Sequence, residues 1–319
     1  MSKSTKPIIN FSYSLDTQPE MLERSLTKKS SIIGVPKEED YQEKRVALTP
    51  HAVSVLVNNG QEVLIEHNAG LASSYNDAAY SEAGAKICYD KMEVFKSQLV
   101  LKTAPIHDDE LEFIQANQII ISPLNIPSLK KSHIEKCLEK QIIGISLADI
   151  KDDAGNNPIV RSLSQIAGVY AINVASQLLT SSKNGKGILL GSVAGVPPSR
   201  IVILGAGIVG FSAVRAALAL GAYIQVFDNS ITRLMHLQQS FGSSLFTSVI
   251  DIGLIKDAIK HADVVIGCIK PEKGIVPIIV TEDMVEQMQP NSVIIDVSID
   301  KGGCIETSRM TSHEKPTYK

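Results

Sequence analysis

The chain has 319 residues, a formal net charge of −3 and an aromatic content of 5% without tryptophan. This length is enough for two domains of ordinary size, and the charge and composition argue against nucleic-acid binding and base stacking. No apolar run approaches the roughly 20 residues of a membrane span, so we expect no membrane insertion, and no secretory signal is visible. The four cysteines are scattered, which indicates reduced thiols in a cytoplasmic protein and no metal site.

Residues 1–30 are polar and irregular, and we expect them to form a flexible extension. From residue 31 to residue 157, strand-like runs alternate with helix-like runs, which predicts a mainly parallel sheet covered on both faces. The predicted strands are 32–35, 62–66, 98–102, 118–122 and 141–146, and the predicted helices are 50–59, 76–84, 108–116 and 128–140.

A turn-rich segment at 152–158 precedes a long helix with few charges, predicted over 162–181, that connects the two halves. A second series follows, with a predicted helix over 211–220, another that begins after Thr281, and strands over 201–204, 223–227, 244–247, 263–268 and 292–297. The predicted fold is α/β, with two doubly wound, Rossmann-like domains. Residues 31–157 form the substrate domain, residues 158–319 form the connecting helix and the dinucleotide domain, and the cleft between them takes a small ligand.

The most informative pattern is an apolar strand followed by G-x-G-x-x-G at residues 201–210. Gly205 permits a tight turn, Gly207 lets a pyrophosphate approach the backbone at a helix N-terminus, and Gly210 lets that helix pack closely on the strand. The next apolar strand ends in Asp228, which can accept hydrogen bonds from a ribose diol. The predicted cofactor-binding turn also includes Ala206, Ile208 and Val209. The alternative is a glycine-rich turn with a capping aspartate.

Asp228 also bears on the choice of cofactor, because a carboxylate at this position repels a 2′-phosphate. The sequence therefore favours NAD over NADP. Arg233 lies five residues further on. It either approaches an adenosine phosphate or lies on a solvated helix face, which is the more usual place for a helical arginine.

Further motifs occur in a recognisable order: Ile33-Gly-Val-Pro-Lys-Glu38, R-V-A-L-T-P at 45–50, Ser164-Gln-Ile-Ala-Gly168 and I-D-K-G-G-C at 299–304. Together with the glycine pattern they resemble the alanine dehydrogenase family and its relative, the NAD-binding alpha subunit of proton-translocating transhydrogenase. The resemblance extends from about residue 32 to the end, and the last motif looks closer to alanine dehydrogenase.

This resemblance implies the reversible, NAD-dependent oxidative deamination of L-alanine to pyruvate and ammonia by a homo-oligomer, a hexamer in the family. It implies that Arg45 clamps the substrate carboxylate, to which a guanidinium donates two parallel hydrogen bonds. It places Asp300 near the nicotinamide and the reacting amine, Ile269 at the nicotinamide end, and Ser164 against the cofactor phosphates. The alternatives are a surface arginine at 45 and a turn aspartate at 300.

The chain departs from the family pattern at two catalytic positions. The family's substrate lysine lies in L-K-V-K-E-P, whereas this chain has Leu101-Lys102-Thr-Ala-Pro105, which is one residue shorter. Strand alternation points Lys102 toward the same face, so Lys102 is the candidate replacement for binding and catalysis. The family's catalytic histidine is matched by Asn125, which hydrogen-bonds but cannot shuttle a proton near neutral pH.

Three functions remain open on these residues. The first is an alanine dehydrogenase, the second is the soluble alpha subunit of transhydrogenase, and the third is a truncated NAD-binding protein without turnover. The resembled enzymes continue for several tens of residues past the position of Lys319. We therefore expect the chain alone to bind NAD and to turn over alanine weakly or not at all.

Overall fold

The computed structural model of the protein describes residues 30–39, 43–124, 126, 129–242, 245–271 and 274–319. Residues 1–29 of the predicted extension and the predicted catalytic residue Asn125 lie outside the described residues. In the part of the chain that is described, none of the helices combines the length and the apolar character that crossing a membrane requires.

The first half of the chain forms a parallel sheet of six strands in the order β3-β2-β1-β4-β5-β6. Its strands and helices are β1 (Ile32–Val35), α1 (Pro50–Asn58), β2 (Glu62–Glu66), α2 (Asp77–Glu82), β3 (Lys86–Cys88), α3 (Lys91–Phe95), β4 (Leu99–Leu101), β5 (Ile119–Ser122), α4 (Lys131–Glu139) and β6 (Ile143–Ser146). The strand order reverses between β1 and β4, so the loops that follow these two strands leave the sheet at its topological switch point.

The structure differs from the sequence prediction in three places of this sheet. The short elements β3 and α3 were not predicted, because three and five residues are too few to establish a periodicity. The helix predicted over 108–116 is wrong, since only a single 3-10 turn forms, at Glu110–Glu112. Glu110 is fully buried and bonded to Lys102, and this tertiary pairing overrides the local helical pattern.

The second half forms a parallel sheet of five strands in the order β11-β10-β7-β8-β9. It comprises α5 (Pro158–Leu178), β7 (Arg200–Leu204), α6 (Ile208–Ala219), β8 (Tyr223–Phe227), α7 (Ile231–Phe241), β9 (Phe246–Ser248), α8 (Ile252–Lys260), β10 (Val264–Gly267), α9 (Glu282–Val285) and β11 (Val293–Asp296). Two doubly wound α/β units are therefore present, which confirms the predicted fold class. The strand order of this sheet reverses between β7 and β10.

Helix α5 packs closely against α6 and lies with the second sheet. A Cβ placed on Gly168 would lie 2.2 Å from the Val209 carbonyl oxygen and 2.8 Å from Ser212 Cβ, so only glycine permits this approach. The helix begins at Pro158, earlier than predicted, because proline is well suited to the first helical position, where its missing N–H is not needed.

Candidate cofactor and substrate sites

The glycine pattern forms a tight turn between β7 and α6. Gly205 has φ 112°, and a Cβ at this position would lie 2.7 Å from the Cys268 carbonyl oxygen. A Cβ on Gly210 would lie 1.9 Å from the Gly205 carbonyl oxygen, so the start of α6 sits directly on the turn. The sequence predicted a tight turn at Gly205 and close packing of the helix at Gly210. At both positions any side chain would collide with backbone atoms.

Gly207 differs from the other two glycines because the space in front of it is open. It is the N-cap of α6, and apart from its chain neighbours none of the described residues has a heavy atom within 4 Å of a Cβ built on it. No described side chain caps this helix terminus. Backbone N–H groups and the positive end of the helix dipole therefore face open space, which is the arrangement that binds a phosphate group.

Asp228 lies at the end of β8 and is tied to the glycine turn. One carboxylate oxygen accepts a hydrogen bond from Ala206 N at 2.7 Å, and the other accepts one from Ser230 N at 2.7 Å. Each oxygen keeps a further lone pair for a ligand hydroxyl. Arg233 Nη1 lies 3.6 Å from Asp228, and the arginine side chain is half exposed. Arg233 thus lies on a solvated face and also beside the predicted ribose position.

The glycine turn is also held by the side chain of Cys268, which the sequence patterns did not reveal. The Cys268 thiol donates to the carbonyl oxygens of Leu204 and Gly205, at 3.2 Å each. Burial raises the pKa of this thiol well above its ordinary value, so it stays protonated and remains a donor. Ile269, the next residue, is half-buried and packs on the core at the end of β10.

Asp300 lies exposed in a short 3-10 helix, Ile299–Lys301, after β11. Its loop is closed by Asp296, which the sequence analysis did not single out. Asp296 accepts hydrogen bonds from Ser298 Oγ at 2.6 Å, Cys304 N at 2.9 Å and Ile305 N at 3.1 Å. The available signal was an acid next to the last residue of the strand predicted over 292–297. Asp296 therefore fixes the geometry of the segment that carries Asp300.

Ser164 is half-buried on α5, one helical turn before Gly168. Residues four apart share a helix face. Since Gly168 packs on the first turn of α6, this face of α5 turns toward the helix that follows the glycine pattern.

The first sheet carries a cavity of about 280 Å³ beyond the carboxyl ends of β1 and β2. Its wall combines charged and small apolar side chains, contributed by Lys37, Glu38, Glu43, Arg45, Asn68, Ala69, Leu71 and Ala72. The cavity adjoins the switch point of the sheet, which is where open α/β sheets bind ligands.

Arg45 lies on this cavity, but Glu43 already holds one edge of its guanidinium. Arg45 Nε donates to Glu43 Oε1 at 2.8 Å, and Arg45 Nη2 donates to Glu43 Oε2 at 2.5 Å. This hydrogen bonding lowers the pKa of Glu43 and raises that of Arg45. Glu43 uses two of the five guanidinium N–H groups, so the remaining donors can still bind a carboxylate.

Lys102 is fully buried after β4 and does not line the cavity. Its Nζ donates to Glu110 Oε1 at 2.6 Å and to Glu110 Oε2 at 2.8 Å, and it lies 3.3 Å from Glu38 Oε2. The three ammonium donors thus face three carboxylate oxygens. Glu38 separates Lys102 from the cavity, because Glu38 lines the cavity and touches Lys102. Neither glutamate was predicted from the sequence as a site residue.

The predicted site residues therefore form two groups, one at the carboxyl edge of each sheet. Gly207, Asp228 and Ile269 belong to the second sheet, and Arg45 and Lys102 belong to the first. No cluster of three or more metal-ligating side chains occurs within the described ranges.

Comparison with known proteins identifies the family. Residues 34–167 match the alanine dehydrogenase/PNT N-terminal domain, and residues 171–319 match the alanine dehydrogenase/PNT C-terminal domain. The chain belongs to the alanine dehydrogenase/PNT family. This confirms the resemblance drawn from the motifs, and the match covers both halves of the chain.

Individual relatives place the chain on the alanine dehydrogenase side of this family. The alanine dehydrogenase of Methanococcus maripaludis is 39% identical over 293 residues, which is 90% of this chain and 78% of the relative. The alanine dehydrogenase of Bacillus subtilis is 36% identical over 289 residues, which is 90% of this chain and 76% of the relative. A solved L-alanine dehydrogenase has a TM-score of 0.86 at 35% identity, covering 90% of this chain and 80% of its own.

A transhydrogenase from Sinorhizobium meliloti shares the fold, with a TM-score of 0.74 at 23% identity over 88% of this chain and 81% of its own. Within the alanine dehydrogenase/PNT family, the solved alanine dehydrogenase is thus more similar in both sequence and structure than this transhydrogenase. The comparison agrees with the preference that the I-D-K-G-G-C motif indicated.

Proposed function

We propose that the chain is an alanine dehydrogenase-type oxidoreductase that catalyses the reversible, NAD-dependent deamination of L-alanine to pyruvate and ammonia. The observation that carries the proposal is the match of both domains to alanine dehydrogenases, with an open helix N-terminus in the second. By the same relationship we propose a cytoplasmic homo-oligomer, hexameric as the resemblance implies, with residues 31–157 as its substrate domain.

The second sheet supplies the groups that fit NAD. The N–H groups of Ile208 and Val209 face the open space at Gly207 and would bind the pyrophosphate. Ser164, on the neighbouring face of α5, would add a hydroxyl donor. Asp228 would accept from the adenosine ribose and disfavour a 2′-phosphate. Arg233 lies beside the same ribose position.

The first sheet would bind the substrate. Arg45 would hold the carboxylate with the donors that Glu43 leaves free, which fixes the substrate at one end. The hydride of the substrate carbon would be taken up by a nicotinamide held at this position. Ile269 would exclude water from that end of the site, and the exposed carboxylate of Asp300 would hold or move the proton of the reacting amine.

Lys102 and Asn125 remain the candidates for the family's missing lysine and histidine. Lys102 would act electrostatically through Glu38, because its donors already face carboxylate oxygens. The same observation favours a second candidate function. A chain in which the candidate substrate lysine, Lys102, is buried behind Glu38 suits an alpha subunit of transhydrogenase, which binds NAD and passes hydride to a partner's NADP. An NAD-binding protein without turnover is the third.

The deciding experiment measures NADH formation from L-alanine at alkaline pH and NADH consumption with pyruvate and ammonium. We expect turnover that is weak at most, because Lys102 already faces carboxylate oxygens and asparagine at position 125 cannot shuttle a proton near neutral pH. Calorimetry of NAD binding is run beside it. NAD binding without turnover would replace the proposal with the transhydrogenase function or the binding-only function. Addition of NADP together with a transhydrogenase partner distinguishes these two, because only the transhydrogenase subunit would pass hydride to the NADP.

A further inference from the structure

Cys268 directly follows β10, and its thiol contacts both ends of the G-x-G-x-x-G pattern. Its Sγ lies 3.2 Å from the Gly205 carbonyl oxygen. A Cβ built on Gly210 would lie 3.2 Å from the same Sγ and 1.9 Å from the Gly205 carbonyl oxygen. The thiol therefore packs against the first and the last glycine of the turn, at the point where these two glycines meet.

The contact with Gly205 satisfies a carbonyl group that has no other donor. Among the residues that the structure describes, the Cys268 thiol alone donates a hydrogen bond to the Gly205 carbonyl oxygen. The single S–H proton is shared with the Leu204 carbonyl oxygen, which also accepts a hydrogen bond from Cys268 N at 2.8 Å. Loss of the thiol would thus leave Leu204 with a partner and Gly205 without one.

The peptide group between Gly205 and Ala206 is held at both of its polar atoms. Asp228 Oδ2 accepts a hydrogen bond from the N–H of this peptide at 2.7 Å, and Cys268 donates to its carbonyl oxygen. The same peptide leads directly to Gly207, where the helix N-terminus faces open space. Cys268 therefore helps to orient the backbone that would meet a phosphate group.

The turn depends on such contacts because glycine restricts its backbone little. Three glycines lie within six residues, and Gly205 has φ 112°. An unliganded turn of this composition has many conformations available to it. The affinity of a ligand is reduced by the fraction of the time that its binding segment spends in other conformations. A group that holds the turn before the ligand arrives therefore raises affinity without touching the ligand.

We propose that Cys268 is a positioning residue for the cofactor, and that its thiol holds the glycine turn in the conformation that binds the diphosphate group of NAD. The inference rests on the proposed function only in the binding of a dinucleotide at this turn, and it does not depend on turnover of alanine. Cys268 lies outside the glycine pattern and contributes to affinity through the Gly205 carbonyl group.

The proposal distinguishes the parts of the cofactor. NAD and ADP-ribose both carry the diphosphate group, so both depend on the conformation of the turn. Adenosine carries the ribose diol for Asp228 but no phosphate group, so its binding depends on the turn much less. A general loosening of the domain would instead weaken the binding of all three ligands alike.

The test compares Cys268→Ala, which removes the donor, with Cys268→Ser, which keeps a hydroxyl donor in its place. Calorimetry measures the binding of NAD and ADP-ribose, and NMR titration measures the binding of adenosine. A thiol is a weak donor, so in Cys268→Ala we expect the dissociation constants of NAD and ADP-ribose to rise together about three- to tenfold. The dissociation constant of adenosine should change less than about twofold, and Cys268→Ser should stay within about twofold of the wild type for all three ligands.

Cys88→Ala is the matched control. It removes the same atom from a buried thiol of the first sheet, whose Sγ makes only a 4.0 Å contact with the Lys86 carbonyl oxygen. We expect it to leave the three affinities unchanged. An unchanged NAD affinity in Cys268→Ala would overturn the proposal. Equal weakening of all three ligands, or equal losses in Cys268→Ala and Cys268→Ser, would overturn it as well.

A second measurement uses the wild-type chain and holds even if Cys268→Ala fails to fold. Cys268 is buried, so its alkylation by iodoacetamide requires the turn to open. A ligand that binds only the closed turn suppresses this opening, and ADP-ribose at ten times its dissociation constant should slow the alkylation of Cys268 about tenfold. Mass spectrometry of the labelled peptides gives the rate, with Cys88 as the internal reference. An alkylation rate of Cys268 that ADP-ribose does not change would contradict the proposal.

The outcomes separate this inference from the proposed function. Weaker binding of NAD and ADP-ribose in Cys268→Ala, in a chain that forms no NADH from L-alanine, would support the inference and refute the proposed turnover. NADH formation by a Cys268→Ala chain with unchanged NAD affinity would support the function and refute the inference.

Discussion

The carboxyl edges of the two sheets present different kinds of chemical group, main-chain groups in one sheet and charged side chains in the other. At the edge of the second sheet, Gly205, Gly207 and Gly210 shape the backbone, and the open binding groups are main-chain N–H groups. At the edge of the first sheet, the functional groups are charged side chains that already contact one another, such as Arg45 with Glu43.

This difference has a physical consequence for each site. The backbone site of the second sheet depends on the absence of side chains, so a Gly→Ala substitution, which adds one carbon atom, disturbs its packing or its ligand binding. A charged site depends on matched partners, so removing one partner leaves the other buried without compensation. Substitutions at the two edges should therefore fail in different ways.

The largest expected effect is on the charged edge. Lys102→Ala leaves the buried carboxylates of Glu110 and Glu38 without their nearest cation, which should lower the free energy of unfolding by about 3–5 kcal/mol. Urea unfolding followed by circular dichroism measures this change. The control is Lys86→Ala, which breaks the surface pair with Glu93 and should change stability little. Similar small effects in both variants would show that the buried pair does not stabilise the fold.

Arg45→Ala tests the same edge through binding. Because the Arg45 side chain is 57% exposed, loss of its charged hydrogen bonds to a carboxylate should cost about 1.5–3 kcal/mol, so the KM for pyruvate should rise about ten- to a hundredfold. NAD affinity should stay unchanged, because Arg45 belongs to the other sheet. Steady-state kinetics and NAD calorimetry check both statements. Arg45→Lys keeps the charge without the planar fork, and it should recover only part of the loss. An unchanged pyruvate KM would remove Arg45 from the substrate site.

The contrast between the edges also explains what the sequence could predict. The glycine turn and Asp228 were found because their chemistry follows from spacing along one strand, turn and helix. The strands of the second sheet were located because most of them, such as β7 and β10, are buried apolar runs. In the first sheet, β3 and α3 are too short to show a pattern.

The charge pairs of the first sheet could not be predicted in this way. Glu38 contacts Thr103, a residue 65 positions away along the chain. Glu38 and Glu43 both stand in or beside motifs that were recognised, but nothing local shows which cation each one meets. Lys102 was found as a lysine at a strand end, whereas its burial against Glu110 is a property of the folded sheet.

The backbone edge gives the next largest effect. Gly210→Ala places a Cβ 1.9 Å from the Gly205 carbonyl oxygen, so the backbone must shift, at a cost of about 1–3 kcal/mol. Gly207→Ala meets open space, so its stability should equal that of the wild type, while the new methyl group occupies the phosphate position and weakens NAD binding. Thermal unfolding and NAD calorimetry on both variants test the contrast. Equal destabilisation by the two substitutions would contradict it.

Asp228 is a charged side chain that belongs to the backbone edge. Its carboxylate accepts a hydrogen bond from Ala206 N and would also face the ribose. Asp228→Asn keeps an acceptor for Ala206 N but loses the charge that repels a 2′-phosphate. We expect weaker NAD binding, tighter NADP binding and a preference for NAD reduced about tenfold. Calorimetric titration with each cofactor gives the ratio. Equal affinities for the two cofactors in the wild type would refute the assignment.

The smallest effect concerns the pair of Arg45 and Glu43 in acid. Hydrogen bonding to Arg45 lowers the pKa of Glu43 below 4.5 in the folded chain. A carboxyl group with a lowered folded pKa contributes stability that is complete above its unfolded pKa and is lost as the pH falls through the folded pKa. Because the Arg45 side chain is 57% exposed, we expect less than about 1 kcal/mol. Thermal unfolding of the wild type and of Glu43→Gln should therefore differ above pH 4.5 and converge below it. A difference that persists unchanged into strong acid would show that Glu43 stabilises the loop by contacts other than its charge.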